Sequence, residues 1–232
     1  MERNNLIVLP KSQCRKKTKI SREQSFALIP HSDEKIEGKL KTFVPLKIIR
    51  TVPRSKDDAL FNFLLAQYHY LGYKRTVGEN MKYLIRDNQG NPLACFLFGS
   101  AAWKLISRDS FVGWTTQIRE KNLCYITNNT RFLILPWVKI RNLASHILAK
   151  IALRISADWY DKYAHSLYLL ETFVDKTRFR GTCYKAANWI LLGQTKGRTR
   201  NDRDHTIEVP IKDVYVYPLA KRFREELCND AR

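Results

Sequence analysis

The sequence lacks any apolar run long enough to cross a bilayer. Its longest apolar stretches, such as 132–138, fall far short of the roughly 20 residues that a membrane helix needs. Glycine (9) and proline (8) are sparse among 232 residues, which excludes collagen-like and Pro/Gly-rich low-complexity chains. Cysteine is sparse as well. Cys14, Cys95, Cys124, Cys183 and Cys228 are scattered and form no CxxC pair, so neither a disulfide framework nor a zinc knuckle has support. Reduced thiols in a cytoplasmic protein are the expectation. The first residues offer only 6–10 as an apolar segment, and no small-residue cleavage site follows it, so no secretory signal is expected. Acidic residues are outnumbered, with 22 Asp+Glu against 41 Lys+Arg and a formal charge of +19.

Hydrophobic residues make up 44% and aromatics 12%, too much for intrinsic disorder and enough for a buried core. The charge therefore belongs to a folded protein and points to a polyanionic partner. One basic cluster, Arg15-Lys16-Lys17-Thr18-Lys19, lies in a polar N-terminal stretch. The other comprises Lys176, Arg178, Arg180, Lys185, Lys196, Arg198, Arg200 and Arg203, opposed only by Asp202. Phe179, Tyr184 and Trp189 are interleaved with it. Cations neutralise phosphates and aromatics stack on bases, so this segment predicts a nucleic-acid surface, with DNA first and a merely solubilising face as the alternative. No amphipathic basic helix with exposed hydrophobes calls for a membrane partner.

Residues 1–40 lack sustained periodicity and read as a flexible or partly ordered basic arm. Residues 41–227 read as one domain, and 228–232 as a tail. Alternation over 42–52 predicts a strand ended by Pro53. Ser55 caps a helix that stops near Gly72, with Asp57 and Asp58 in its first turn. Strands at 81–86 and 93–99 flank the turn Asp87-Asn88-Gln89-Gly90-Asn91-Pro92 and make a hairpin. Residues 124–138 read as one long strand bulged at Asn128-Asn129. From Asn142, the residues Leu143, Ile147, Ile151, Ile155 and Trp159 recur every four positions as one helical stripe. A buried strand (167–174), a short helix (179–188), strands at 189–193 and 214–217 and a terminal helix follow. The strand–helix–strand unit over 131–174 places two strands parallel within a mixed sheet.

This order resembles the acetyltransferase fold of the GNAT superfamily, an α/β domain with a mixed, partly splayed sheet flanked by helices. The string RGTCYKAANWILLG is similar to phage Mom-type DNA-modification proteins, divergent members of that superfamily. A closer resemblance is carried by YHYLGY (68–73), FGSAAWK (98–104), NNTRFLILPWV (128–138), SADW (156–159), YLLETFVD (168–175), RFRGTCYKAANWILLGQTKGR (178–198) and KDVYVYPL (212–219). Together these resemble the DruA family of the Druantia anti-phage defence system. The resemblance implies a bacterial defence role with other defence proteins as partners. The same domain also occurs in proteins linked to mobile elements, which leaves a transposon-associated DNA-binding protein as an alternative.

The GNAT resemblance implies that Tyr184 is a general acid; the alternative is a buried aromatic with a satisfied hydroxyl. It also implies acyl-CoA, whose pyrophosphate sits on a Gly-rich loop at the start of the central helix. The matching stretch, Val138-Lys139-Ile140-Arg141-Asn142-Leu143-Ala144-Ser145, contains no glycine, so only the charges of Lys139 and Arg141 are left to hold a phosphate, and the cofactor stays open. Glu171, inside an apolar strand, reads either as a general base in a cleft beside Asp175 or as the ion-pair partner of Arg131. His69 reads as a base or as a ligand to a base edge, against a structural role near a helix end. His146 and His205 show no compact ligand spacing, so no metal is expected. Trp103, Trp114 and Tyr73 read as core or rim aromatics, one of them a candidate to stack a flipped base. A non-catalytic DNA-binding or sensing subunit is the competing reading of the whole.

Overall fold

The computed structural model describes residues 29–73, 76–195, 197 and 210–230. Its elements in chain order are β1 (Ile36–Gly38), α1 (Leu40–Phe43), β2 (Lys47–Arg50), α2 (Lys56–Tyr68), β3 (Met81–Arg86), β4 (Pro92–Ser100), α3 (Ile106–Val112), α4 (Thr116–Asn122), β5 (Ile126–Ile134), β6 (Val138–Ile140), α5 (Leu143–Ala152), α6 (Ile155–Tyr163), β7 (Leu169–Asp175), α7 (Thr182–Ala186), β8 (Ile190–Gln194), β9 (Lys212–Pro218) and α8 (Phe223–Cys228). Among the described residues, seven strands form one mixed sheet in the order β2-β3-β4-β5-β7-β9-β8. No described helix is long and apolar enough to cross a membrane.

Local chemistry accounts for the first half. The Ser55 hydroxyl accepts from the Asp58 N–H at 3.1 Å and so caps α2. The β3–β4 hairpin closes around Asp87, whose Oδ1 accepts the N–H groups of Gln89 (3.0 Å) and Asn91 (2.8 Å). A large core joins Leu60, Phe61, Leu64 and Leu65 of α2 to β3, β4, α5 and Tyr184 of α7. A smaller one packs Val112, Phe223 and Leu227 from α3 and α8 against Ile126, Leu169 and Val216. β7 thus serves two masters: Leu169 and Glu171 face α3, while Leu170, Thr172 and Val174 face the large core, as the period of a strand requires.

Several expectations are corrected. The strand expected over 42–52 shrinks to β2, because 40–43 coil into α1. The single helix from Asn142 to Trp159 breaks at Leu153-Arg154. There the Arg154 N–H bonds the Ile151 carbonyl at 3.0 Å, and its guanidinium leaves to reach the Ile48 carbonyl at 3.0 Å. Asn142 precedes α5 but adopts φ 63° and makes no side-chain cap. The long strand over 124–138 divides at a turn around Pro136 into β5 and β6, and its bulge falls on Thr130, beside the Asn pair. Residues 101–123, for which no element was expected, hold α3 and α4. The expected arm ends earlier than 40. β1 pairs in parallel with β6, Ile29, Ile36 and Leu40 pack on the large core, and the His31 ring lies 5.6 Å from that of Trp137. The rest of that arm, 1–28, lies outside the described residues, as do 231–232 of the tail.

The feature that positions the site is the junction of β5 and β7. They run parallel for three pairs, Ile126–Leu169, Thr127–Leu170 and Asn128–Glu171, and then diverge.

Candidate cleft between the diverging strands

Beyond Asn128 the inner edge of β5 has no strand neighbour, and a cavity of about 580 Å³ opens there. Its walls come from the end of α2 and the residues after it (Tyr68, His69, Tyr70, Leu71), from β5, from Ala144 at the start of α5, from β7 (Thr172, Phe173, Val174, Asp175), from the approach to and start of α7 and from Lys212.

Asn129 is the keystone of its floor. Its Nδ2 donates to the carbonyls of Leu97 and Arg131, both at 3.1 Å. That fixes the amide orientation and turns Oδ1 towards Tyr184, whose hydroxyl donates to it at 2.7 Å. Thr172 Oγ1 donates to the Asn129 carbonyl at 3.0 Å. Tyr184 is 6% exposed, and burial holds its phenol far above the ordinary range. The expected general acid therefore has its proton committed to Asn129. α7 reaches this place through Gly181, at φ 66°, where an added Cβ would stand 2.6 Å from the Tyr215 hydroxyl. Only glycine allows so close an approach.

Glu171 does not face the cavity. Its side chain is fully buried on the α3 side, where its oxygens accept from Arg108 at 2.8 Å and from the Ala102 N–H at 2.6 Å. Burial pushes its carboxyl up while Arg108 pulls it down. Neither expected role survives: it is not a cleft base, and its partner is Arg108 rather than Arg131. Arg108 is equally buried, and it also bonds Asp109 (2.8 Å) and the Ala102 carbonyl (2.8 Å).

His69 and Asp175 do line the cavity. His69 is 8% exposed, and burial, aided by the charge of Arg131, pulls its pKa down to about 4. Its Nδ1 accepts the Leu71 N–H at 3.1 Å, so in the neutral ring the proton sits on Nε2. At neutral pH His69 is a hydrogen-bond donor rather than a ready base. Asp175 accepts from the Thr177 hydroxyl at 2.7 Å and N–H at 3.0 Å, bonds that hold its carboxyl below the usual range. The structure thus brings His69, Asp175 and Tyr184 together and leaves Glu171 out.

Of the expected phosphate-binding cations, Arg180 lines the cavity and Arg178 lies over the Tyr70 ring at 4.9 Å. Lys176 approaches Asp213 at 3.9 Å, and Lys185 is exposed on α7. Lys196, Arg198, Arg200 and Arg203 lie outside the described residues. Arg131, Lys212, Asn129 and Thr172 had not been singled out as site residues. The Asn pair inside a strand was the one signal for Asn129. Trp114 is buried and Trp103 is exposed beside Arg119, and neither lines the cavity.

The segment before α5 holds no Gly-rich loop for an acyl-CoA pyrophosphate, and of the start of α5 only Ala144 reaches the cavity. Where a Gly-rich loop would offer backbone N–H groups, β6 intervenes, laddered to β1 with Val138 and Ile140 in the core. Lys139 and Arg141 are exposed and are not among the cavity residues, and Lys139 lies 3.9 Å from Glu37. Among the described residues, no group of three or more His, Cys, Asp or Glu gathers as metal ligands.

Two expected outcomes test this geometry. Glu171→Ala leaves a buried guanidinium short of its counter-ion and costs about 3–5 kcal/mol in urea unfolding. Pairing it with Arg108→Leu recovers part of that loss, and simple additivity of the two would contradict the ion pair. For His69, the folded pKa lies below the ordinary 6.5, so the unfolded chain binds the extra proton first. Its contribution is complete above pH 6.5 and declines as pH falls towards 4. Unfolding free energy should drop between pH 6.5 and 5 in the wild type and stay flatter in His69→Gln.

No curated protein sequence matches the chain. Among solved structures, the spermidine/spermine N-acetyltransferase SpeG from Vibrio cholerae with manganese ions shares 9% identity at a TM-score of 0.46, covering 78% of this chain and 96% of that one. Spermidine N-acetyltransferase from Vibrio cholerae in complex with CoA and spermine shares 10% at a TM-score of 0.45, covering 79% and 98%. The family described as Druantia protein DruA matches residues 1–207 of the 232. The chain belongs to the DruA family.

Proposed function

We propose that this protein is a nucleic-acid-binding component of a Druantia defence system, acting in the cytoplasm with other proteins of that system. The observation that carries the reading is the composition of the cavity rim. Arg131, Arg178, Arg180 and Lys212 gather there beside Tyr70 and Phe179, with Asp175 as the acid on the wall. Cations neutralise phosphates and release counter-ions, and aromatic faces accept bases without regard to sequence. The formal charge of +19 draws a polyanion towards that rim. DNA is the first candidate.

The reading is tested by titrating the full chain with labelled duplex and single-stranded DNA, and with RNA, across a salt series. Arg178→Glu with Arg180→Glu should weaken binding and lower the slope of log K against log salt by about two for two lost phosphate contacts. Unchanged affinity and slope would remove the rim from the interface.

A second reading adds chemistry: modification of a base within the cleft. It draws on the cavity at the divergence of β5 and β7, where this fold does its chemistry in transferases. The commitments of Tyr184 to Asn129 and of Glu171 to Arg108 weigh against it. Mass spectrometry of nucleosides from cells carrying the complete system decides. Binding alone predicts the standard nucleosides only, and a modified nucleoside lost in His69→Ala establishes catalysis.

A further inference from the structure

Two features of the cleft go beyond what a phosphate-tracking surface requires. The first is Arg131. It is partly buried in the cavity wall, its Nε donates to the Gly72 carbonyl at 3.2 Å, and one terminal nitrogen donates to the Thr130 carbonyl at 2.7 Å. Among the described residues, no carboxylate lies within ion-pair distance of it. A partly desolvated cation with only carbonyl partners is an unbalanced charge, and burial accordingly pulls its pKa down. Arg108, on the other side of the sheet, shows the balanced arrangement, with Glu171 and Asp109 both at 2.8 Å.

The second feature is an aromatic shelf. Tyr70 and Phe179 are 41% and 50% exposed at the mouth, with ring centroids 5.5 Å apart. Arg178 lies over Tyr70 at 4.9 Å and the His69 ring stacks on Tyr70 at 4.8 Å, while the two shelf rings are inclined at 59°, so the shelf is a cationic wedge with Phe179 as its open face. Large exposed rings beside a cavity mark a ligand surface more often than a solvated one. His69, below the shelf, has Nδ1 occupied by the Leu71 N–H and offers a neutral Nε2–H. The volume of about 580 Å³ lies within the ~300–1,000 Å³ typical of small-ligand sites.

An anion site, a stacking shelf and a neutral donor describe one chemical class of ligand. We propose that the cavity takes a single nucleoside phosphate unit, its base against Tyr70 and Phe179 and its phosphate at Arg131. The proposal deepens the nucleic-acid reading and rests on it for the source it favours, a nucleotide turned out of a strand. A free nucleotide presents the same chemistry.

The test separates the two sources. The full chain is mixed with oligonucleotides carrying one 5-iododeoxyuridine, irradiated and digested, and the crosslinked peptides are identified by mass spectrometry. The expected result is a crosslink at Tyr70 or Phe179. Tyr70→Ala with Phe179→Ala should abolish it and weaken strand binding about tenfold, as the loss of one stacked base does. Tyr70→Phe should retain both. In parallel, calorimetry with AMP, CMP, GMP and dTMP asks whether a free nucleotide saturates the site and whether Arg131→Gln removes that binding. Both rings are exposed, and thermal melts check that each variant is folded. Arg131-dependent mononucleotide binding without any strand binding would sink the nucleic-acid reading and keep the subsite. Strand binding with crosslinks only elsewhere, and no Arg131-dependent mononucleotide binding, would overturn the subsite and leave the nucleic-acid reading standing.

Discussion

Asn129 takes over the backbone bonding that β5 and β7 give up when they separate. Buried carbonyl and N–H groups need partners wherever a ladder stops. Here the side chains supply them. Thr172 of β7 donates to the Asn129 carbonyl, and the Asn129 amide answers the carbonyls of Leu97 and Arg131. Tyr184 completes the set by donating to the remaining amide oxygen. Four elements, β4, β5, β7 and α7, are thereby tied to one residue beside the Thr130 bulge. The cavity is open because this knot replaces a ladder, and Tyr184 is part of the knot. Its hydroxyl donates within that knot, to the Asn129 amide oxygen.

The legible parts of the fold were those with local causes. The β3–β4 hairpin follows from Asp87 and its turn, and α2 from its Ser55 cap, and both stand where the residues alone place them. The stripe from Leu143 to Trp159 is buried throughout, yet the helix breaks within it at Arg154, whose guanidinium bonds both Asp158 of α6 and the Ile48 carbonyl more than a hundred residues away in sequence. No local pattern records such a contact. Residues 101–123 hid two helices for a related reason. Their amphipathic logic depends on burying Arg108 and Arg119, charges that a sequence reading assigns to the surface. Glu171 was legible as buried from its apolar strand. Its partner, 63 residues earlier, was not.

The candidate site divides in the same way. His69, Asp175, Arg180 and Tyr184 were visible because motif strings and charge gathered them, and the topology does bring their segments to one cleft. Asn129 and Thr172 were invisible as a pair, since what links them is the divergence itself. Lys139 and Arg141 failed for a topological reason. The first part of the segment matching a phosphate loop, Val138–Ile140, is used as β6, which receives β1. A strand laddered to a neighbour has no spare N–H groups on that edge for a ligand.

The state of His69 follows from where its neighbours stand. Two basic groups, His69 and Arg131, share a wall with poor access to water, and one of them must yield its charge. A guanidinium does not lose its proton in any ordinary pH range, so the imidazole does. Burial is the larger cause of its low pKa and the repulsion from Arg131 the smaller. An anion bound at Arg131 would cancel much of the second cause and none of the first. With the cavity empty, His69 is neutral at physiological pH and its Nε2–H is a donor. The cleft keeps one fixed positive charge and one uncharged donor side by side.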